Sequence, residues 1–189
     1  MTSHDLALAD VLGPHRAEVL ERWRVLVYDS YPEEAVRFFR KEKDGFKNPV
    51  GRAIQRATEV LLDGVLLGRG GQGVPEALEG LVRIRAVQDF APSEAVAFVF
   101  LLKRAAREVL EEASAHPVPA QVAAHIETRV DTLALMAFET YTRCREEIFE
   151  IRVREAQRRT AALLERFNRE TPAGEAAPDA DHRQRGFEA

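Results

Sequence analysis

The chain has 189 residues, 46% of them apolar, with 27 basic against 31 acidic side chains and a formal net charge of −4. That is one domain with enough apolar mass for a core, and its slightly acidic balance excludes a protein-wide electrostatic grip on nucleic acid. The single cysteine, Cys144, excludes an intrachain disulfide and suits a reducing cytosol. The longest apolar run, Ala95 to Leu102, falls well short of the about twenty residues a bilayer span needs, and MTSHDLALAD has no basic flank of a signal peptide. The expectation is a soluble, cytoplasmic protein that is not membrane-embedded.

A short helix is expected near His4 to Val11, broken at Gly13-Pro14. A second runs from about His15 to Tyr28, with Val19, Leu20, Trp23, Leu26 and Val27 on one face at helical spacing. Tyr31-Pro32 opens a short helix ending near Phe38-Phe39, followed by a charged loop from Arg40 to Lys47. Asn48-Pro49 is a strong start signal, with Asn as cap and Pro in the first turn. The helix it opens carries Val50, Ile54, Ala57, Leu61, Leu62 and Val65, and ends at Gly68-Arg69-Gly70-Gly71. Pro75 starts a helix to about Gln88, and Pro92 another to about Ala115. Glu94 is placed to complement the exposed amides of that last start.

From Leu81 to Thr171 there is no glycine, and Pro92, Pro117 and Pro119 are the only prolines. Nothing breaks the pattern from Pro119 to Glu170. At about 1.5 Å per residue such a helix is longer than a compact body of this size is wide, so its C-terminal part is expected to leave the body. One apolar seam uses Val122, Ile126, Val130, Leu133, Ala137, Cys144, Ile148 and Ile151. A second uses Phe149, Val153, Ala156, Thr160, Leu163 and Phe167, in heptad-like steps of four and three. The expected organisation is a helical body over residues 1–150, a helical extension over 151–170 and a disordered tail over 171–189, where the sequence turns small and polar.

No catalytic constellation emerges. His4, His15, His116, His125 and His182 hold no pair at metal-ligand spacing, so no metal is expected. The adjacent carboxylates Glu33-Glu34, Glu111-Glu112 and Glu146-Glu147 diverge by about 100° on a helix and form no acid–base dyad. The stretch Arg37 to Arg56 has seven basic residues against two acidic ones, without stacking aromatics interleaved, and no nucleic-acid partner is inferred. The Gly-rich Gly68 to Gly73 follows a helix rather than a strand, so it is a connector. Cys144 lies on the first seam as a packed small residue. Arg83 and Arg85 stand among Leu81, Val82, Ile84, Ala86 and Val87. Glu79 can pair with Arg83 and Asp89 with Arg85 at i, i+4; a snorkelling, ion-paired face and a ligand site built from Arg83, Arg85, Gln88, Asp89 and Phe90 remain alternatives.

Three segments taken together, FFRKEKDGFKNPVG (Phe38 to Gly51), LVRIRAVQDFAPSEAVAFVFLLK (Leu81 to Lys103) and RVDTLALMAFETYTRCREEIFEIR (Arg129 to Arg152), resemble the N-terminal domain of RsbRD-type co-antagonist proteins, the sensor half of stressosome proteins. The likeness covers roughly residues 10 to 155. It implies an all-α, globin-like fold, a homodimer, an adaptor role toward a protein partner not identified by the sequence, no catalysis and no cofactor. In that family a hydroxyl residue often precedes the proline of the central joint. Here it is Ala91, so the cap must come from Asp89, from backbone or from Glu94. The stretch after Glu170 is too short for the C-terminal STAS domain usual in the family, so none is expected in it and kinase docking is not carried over. The helices Asn48 to Leu67 and Pro75 to Gln88, which would flank haem in a globin layout, contain no histidine. A haem- or small-molecule-binding sensor is the second reading. Ile148, Ile151, Val153, Ala156, Leu163 and Phe167 are the expected partner or dimer contacts.

Overall fold

The structure, a computed structural model, describes residues 3–41, 47–66, 73–113 and 118–170. Every element among them is helical. In chain order they are α1 (Ser3–Leu12), a 3-10 turn (Gly13–His15), α2 (Arg16–Tyr28), α3 (Glu33–Lys41), α4 (Pro49–Leu61), a π-turn (Leu62–Leu66), α5 (Val74–Val87), α6 (Pro92–Ala113) and α7 (Ala120–Glu170). The protein is therefore all-α. Met1–Ile148 forms one compact unit and Phe149–Ala189 a second. The helix α7 begins in the first and continues into the second.

The helix starts follow local chemistry. Asn48 caps α4: its carboxamide oxygen accepts from the Gly51 amide at 2.8 Å, and its Nδ2 donates to the Phe39 carbonyl at 3.1 Å. Gly51 is required there, because a Cβ would overlap the Asn48 carboxamide. Gly73 (φ 92°) opens α5 from the left-handed region. The expected connector from Gly68 to Gly73 otherwise lies outside the described residues, as do most of the charged loop before Lys47 and the tail 171–189.

The core of the first unit is built where α2 crosses α6 and α4 packs on α5. Trp23, fully buried, donates its indole N–H to the Phe98 carbonyl of α6 at 2.8 Å. This satisfies the one polar atom that burying a tryptophan brings inside. Arg16 forks onto Asp63 of the π-turn at 2.6 and 2.7 Å, which fastens that turn to the start of α2. These hydrogen bonds hold the guanidinium above its ordinary value. On α7, the expected inner seam is buried from Val122 through Cys144, with Ile148 half-buried. Its last expected member, Ile151, is 58% exposed, so the seam stops one turn earlier than the spacing suggested.

The π-turn was not anticipated. It begins within a stretch expected to be continuous helix, and Asp63 inside it is held by Arg16. The π-helix occurs mostly as single-turn bulges within α-helices, and this one carries its own ion pair to α2.

Candidate functional site

The segment from Arg83 to Glu94 gathers the ligand-site residues named above around the joint between α5 and α6. Helix α5 ends in a Schellman arrangement. Gln88 N donates to the Ile84 carbonyl, Phe90 N donates to the Arg85 carbonyl at 3.2 Å, and Asp89 takes the left-handed backbone (φ 57°) usually given to glycine. Aspartate is among the few other residues that tolerate it. Across the joint, the Glu94 carboxylate accepts from the Ala91 amide at 3.0 Å. Glu94 thus supplies the cap that Ala91 cannot.

The two arginines of α5 have opposite fates. Arg83 is half-exposed and pairs with Glu79 on its own helix (3.0 Å) and with Glu147 of α7 (2.8 Å). This is the expected surface pairing, with an added bond between helices. Arg85 corrects the expectation. It neither snorkels nor pairs with Asp89, but is 0% exposed. Its Nη1 donates to the Glu94 carbonyl at 3.0 Å and its Nη2 to Ser30 Oγ at 2.8 Å. The guanidinium carbon lies 4.8 Å from the Tyr31 ring centre, 5.1 Å from that of Phe90 and 5.2 Å from that of Phe98. Asp89 instead accepts from Arg145 of α7 at 3.1 Å. Burial pushes the Arg85 guanidinium down from its ordinary value and pushes the Tyr31 phenol up. Gln88 is exposed and Phe90 half-buried.

The joint is tied to α7. Tyr141 donates its hydroxyl to the Phe90 carbonyl at 2.8 Å, and Arg145 donates to both the Ala86 carbonyl and Asp89. Cys144, between them in sequence, is buried, and burial raises its thiol above the ordinary value. The spacing of Tyr141, Arg145 and Glu147 on α7 carried this information, but only as residues flanking a seam.

Apart from Phe38 on α3 and Val87 at the end of α5, the exposed large apolar side chains fall into two sets. In the first unit, α6 and α7 run antiparallel, with Arg107 facing Glu127 and Lys103 facing Asp131 at 2.6 Å. One further turn along each helix stand Phe100 on α6 and Leu135 on α7. Both are exposed, Leu135 to 72%, and Phe138 is exposed a turn further along α7. Sequence reasoning missed this patch because these residues lie off the buried seam, where a few apolar side chains are unremarkable. In the second unit, Phe149, Ile151, Val153, Leu163, Leu164 and Phe167 are all exposed, as is Ala156. Arg154 and Arg159 pair there with Glu150 and Glu155 at i, i+4.

Among the described residues no cluster of His, Cys, Asp and Glu could hold a metal, and no helix is long and apolar enough to cross a membrane. The groove between α4 and α5, about 650 Å³, is lined by Ala53, Ala57, Ala77 and Gly80 among others, with no histidine. The small side chains let these two helices pack on each other.

The helical fold, the capped joint and the buried inner face of α7 describe an all-α helical module. Residues 17–158 match the family described as the RsbT co-antagonist protein RsbRD N-terminal domain. The chain belongs to that family, a regulatory sensor-domain family associated with the stressosome. No curated protein and no solved structure matches the chain.

Proposed function

We propose that this protein is a non-catalytic sensor or adaptor of the stressosome type, working in the cytoplasm as a homodimer and engaging a protein partner through α7. The observation that carries the reading is the clustering of exposed large apolar side chains on α6 and α7. Phe100, Leu135 and Phe138 are exposed on the two antiparallel helices of the body, and Phe149, Val153, Leu163 and Phe167 are exposed at heptad-like spacing. Soluble chains seldom leave such patches uncovered. The patch on the body suits self-pairing through the last two helices, which the family resemblance also implies. The stripe suits a second helix, from the other copy or from a partner, because a and d positions repeat at 149, 153, 156, 160, 163 and 167.

The joint gives the reading a direction. Tyr141 and Arg145 hold α7 to the α5–α6 joint about two turns and one turn ahead of Phe149. A change at the joint therefore bears on the stretch of α7 just ahead of the stripe.

The test is light scattering on the full chain together with affinity capture from the native host. A dimer that dissociates in Leu135→Lys/Phe138→Lys is expected, with partner capture lost in Leu163→Lys/Phe167→Lys. A monomeric wild-type protein that captures no partner would sink the reading.

A further inference from the structure

Arg85 carries a charge inside the body that nothing among the described residues neutralises. Taking a guanidinium out of water costs several kcal/mol unless a counter-charge or a full set of acceptors compensates. Two carboxylates stand close in sequence, and both are turned to other tasks: Glu94 caps Ala91 and Asp89 holds Arg145. Three aromatic rings face the cation and recover part of the cost. They offer no acceptor to an N–H in the guanidinium plane.

The unused donors are specific. Arg85 Nε is buried and makes no hydrogen bond, and neither does the buried Tyr31 hydroxyl. The phenol oxygen faces the guanidinium without a bond of good geometry, and burial keeps the phenol protonated, so its O–H remains to be donated. Nε and Nη2 share the edge of a guanidinium that grips an oxyanion through two parallel hydrogen bonds. Half of that edge is vacant, and the other half is taken by a neutral hydroxyl, Ser30 Oγ.

Ser30 is also the way in. It sits on the short corner between α2 and α3, and as a residue it is exposed. Its hydroxyl accepts from Arg85 and donates to the Val27 carbonyl at 2.6 Å. Turning that side chain outward costs little, because the Val27 carbonyl keeps the Ser30 amide at 3.2 Å. The cation then lies one side chain below the surface.

We propose that Arg85 and Tyr31 form a binding site for a small oxyanion, a carboxylate or inorganic anion of a few atoms. The anion displaces the Ser30 hydroxyl, takes the Nε and Nη2 hydrogens of Arg85 and the Tyr31 O–H, and rests between the Phe90 and Phe98 rings. Larger anions are excluded by the aromatic ring on each side. Phe90 belongs to the joint that grips Tyr141, so occupancy reaches α7. This site adds an input to the regulatory reading and is separable from it, because dimerisation is measured without any anion.

Trp23 supplies the readout. It is the only tryptophan, and its indole donates to the backbone of Phe98, whose ring lines the site. The full chain is titrated with sodium formate, acetate, nitrate and sulfate at fixed ionic strength, following Trp23 emission and Tm. A saturable emission change and a concentration-dependent rise in Tm are expected for at least one of the monovalent anions. Arg85→Met abolishes the response, and Arg83→Ala leaves it intact. Tyr31→Phe weakens binding about tenfold, the worth of one such hydrogen bond. Ser30→Ala tightens binding by removing the competing acceptor. Ser30→Asp raises Tm and silences the titration, since its carboxylate occupies the fork from within. An unresponsive wild-type protein, or a response that survives Arg85→Met or Ser30→Asp, overturns the proposal. Should Arg85→Met fail to fold, the opposite signs expected for Ser30→Ala and Tyr31→Phe decide it.

Discussion

Two stretches of this chain mix arginine with large apolar residues, and they end up in contrasting surroundings. In Leu81 to Phe90, Arg85 is drawn fully inside and ringed by Tyr31, Phe90 and Phe98. In Phe149 to Phe167 the arginines stay in water, and so do the apolar side chains between them. The difference does not lie in composition or in helix propensity, since both stretches are good helix. It lies in what the rest of the fold brings up to them. The corner at Ser30-Tyr31 and the start of α6 supply rings and acceptors to Arg85, whereas no described residue covers the apolar stripe of the second unit.

The comparison breaks most visibly in the core behind the joint. Trp23→Ala should destabilise the protein by roughly 3–5 kcal/mol, the usual cost of removing a buried aromatic side chain, read by urea unfolding. The same measurement on Leu163→Lys or Phe167→Lys should shift stability by less than about 0.5 kcal/mol, as expected of exposed positions. A large loss at Leu163 or Phe167 would mean that the stripe is covered in the free protein.

Smaller changes sharpen the account of the joint. Glu94→Ala removes a carboxylate that caps α6, with an expected cost of about 1 kcal/mol. Tyr141→Phe leaves the Phe90 carbonyl without its donor, also at about 1 kcal/mol. If the joint and α7 act as a unit, the double variant departs from the sum of the single ones. The smallest effect concerns Glu108, whose pKa is lowered chiefly by Arg104 and also by Arg22. A carboxylate depressed in the folded state contributes stability above its unfolded pKa. That contribution is lost as pH falls through the folded value. Glu108→Gln should therefore lower stability slightly at neutral pH and above, leave it unchanged in acid, and so flatten the acid side of the stability profile.

Much of the fold was legible because punctuation residues sit where backbone chemistry needs them. Asn48-Pro49, Pro92 and the break at Gly13 place three helix boundaries to within a residue or two. The missing hydroxyl at Ala91 left the cap to Asp89, backbone or Glu94, and Glu94 supplies it. The π-turn was not legible, because Leu62 to Leu66 continues the helical apolar spacing and only the distant Arg16 reveals the distortion. Arg85 was misjudged for a related reason. An i, i+4 acid, Asp89, stood ready on the same helix, and nothing local says that Arg145 takes it instead. Leu135 and Phe138 escaped notice because they lie beside a seam that already accounts for the apolar residues of that helix. The ligand-site residues thus divide: Arg85 and Phe90 share one cage, Arg83 and Asp89 anchor α7, and Gln88 stands in solvent.

The lone thiol offers a stopwatch. Cys144 is sealed on the inner face of α7, on the side near Arg83 and Glu79, and its sulfur resists ionisation there. Alkylating reagents can reach it only when that part of the rod lifts away from α5. The labelling rate of the untouched protein therefore clocks how often the joint lets go, without any engineered probe.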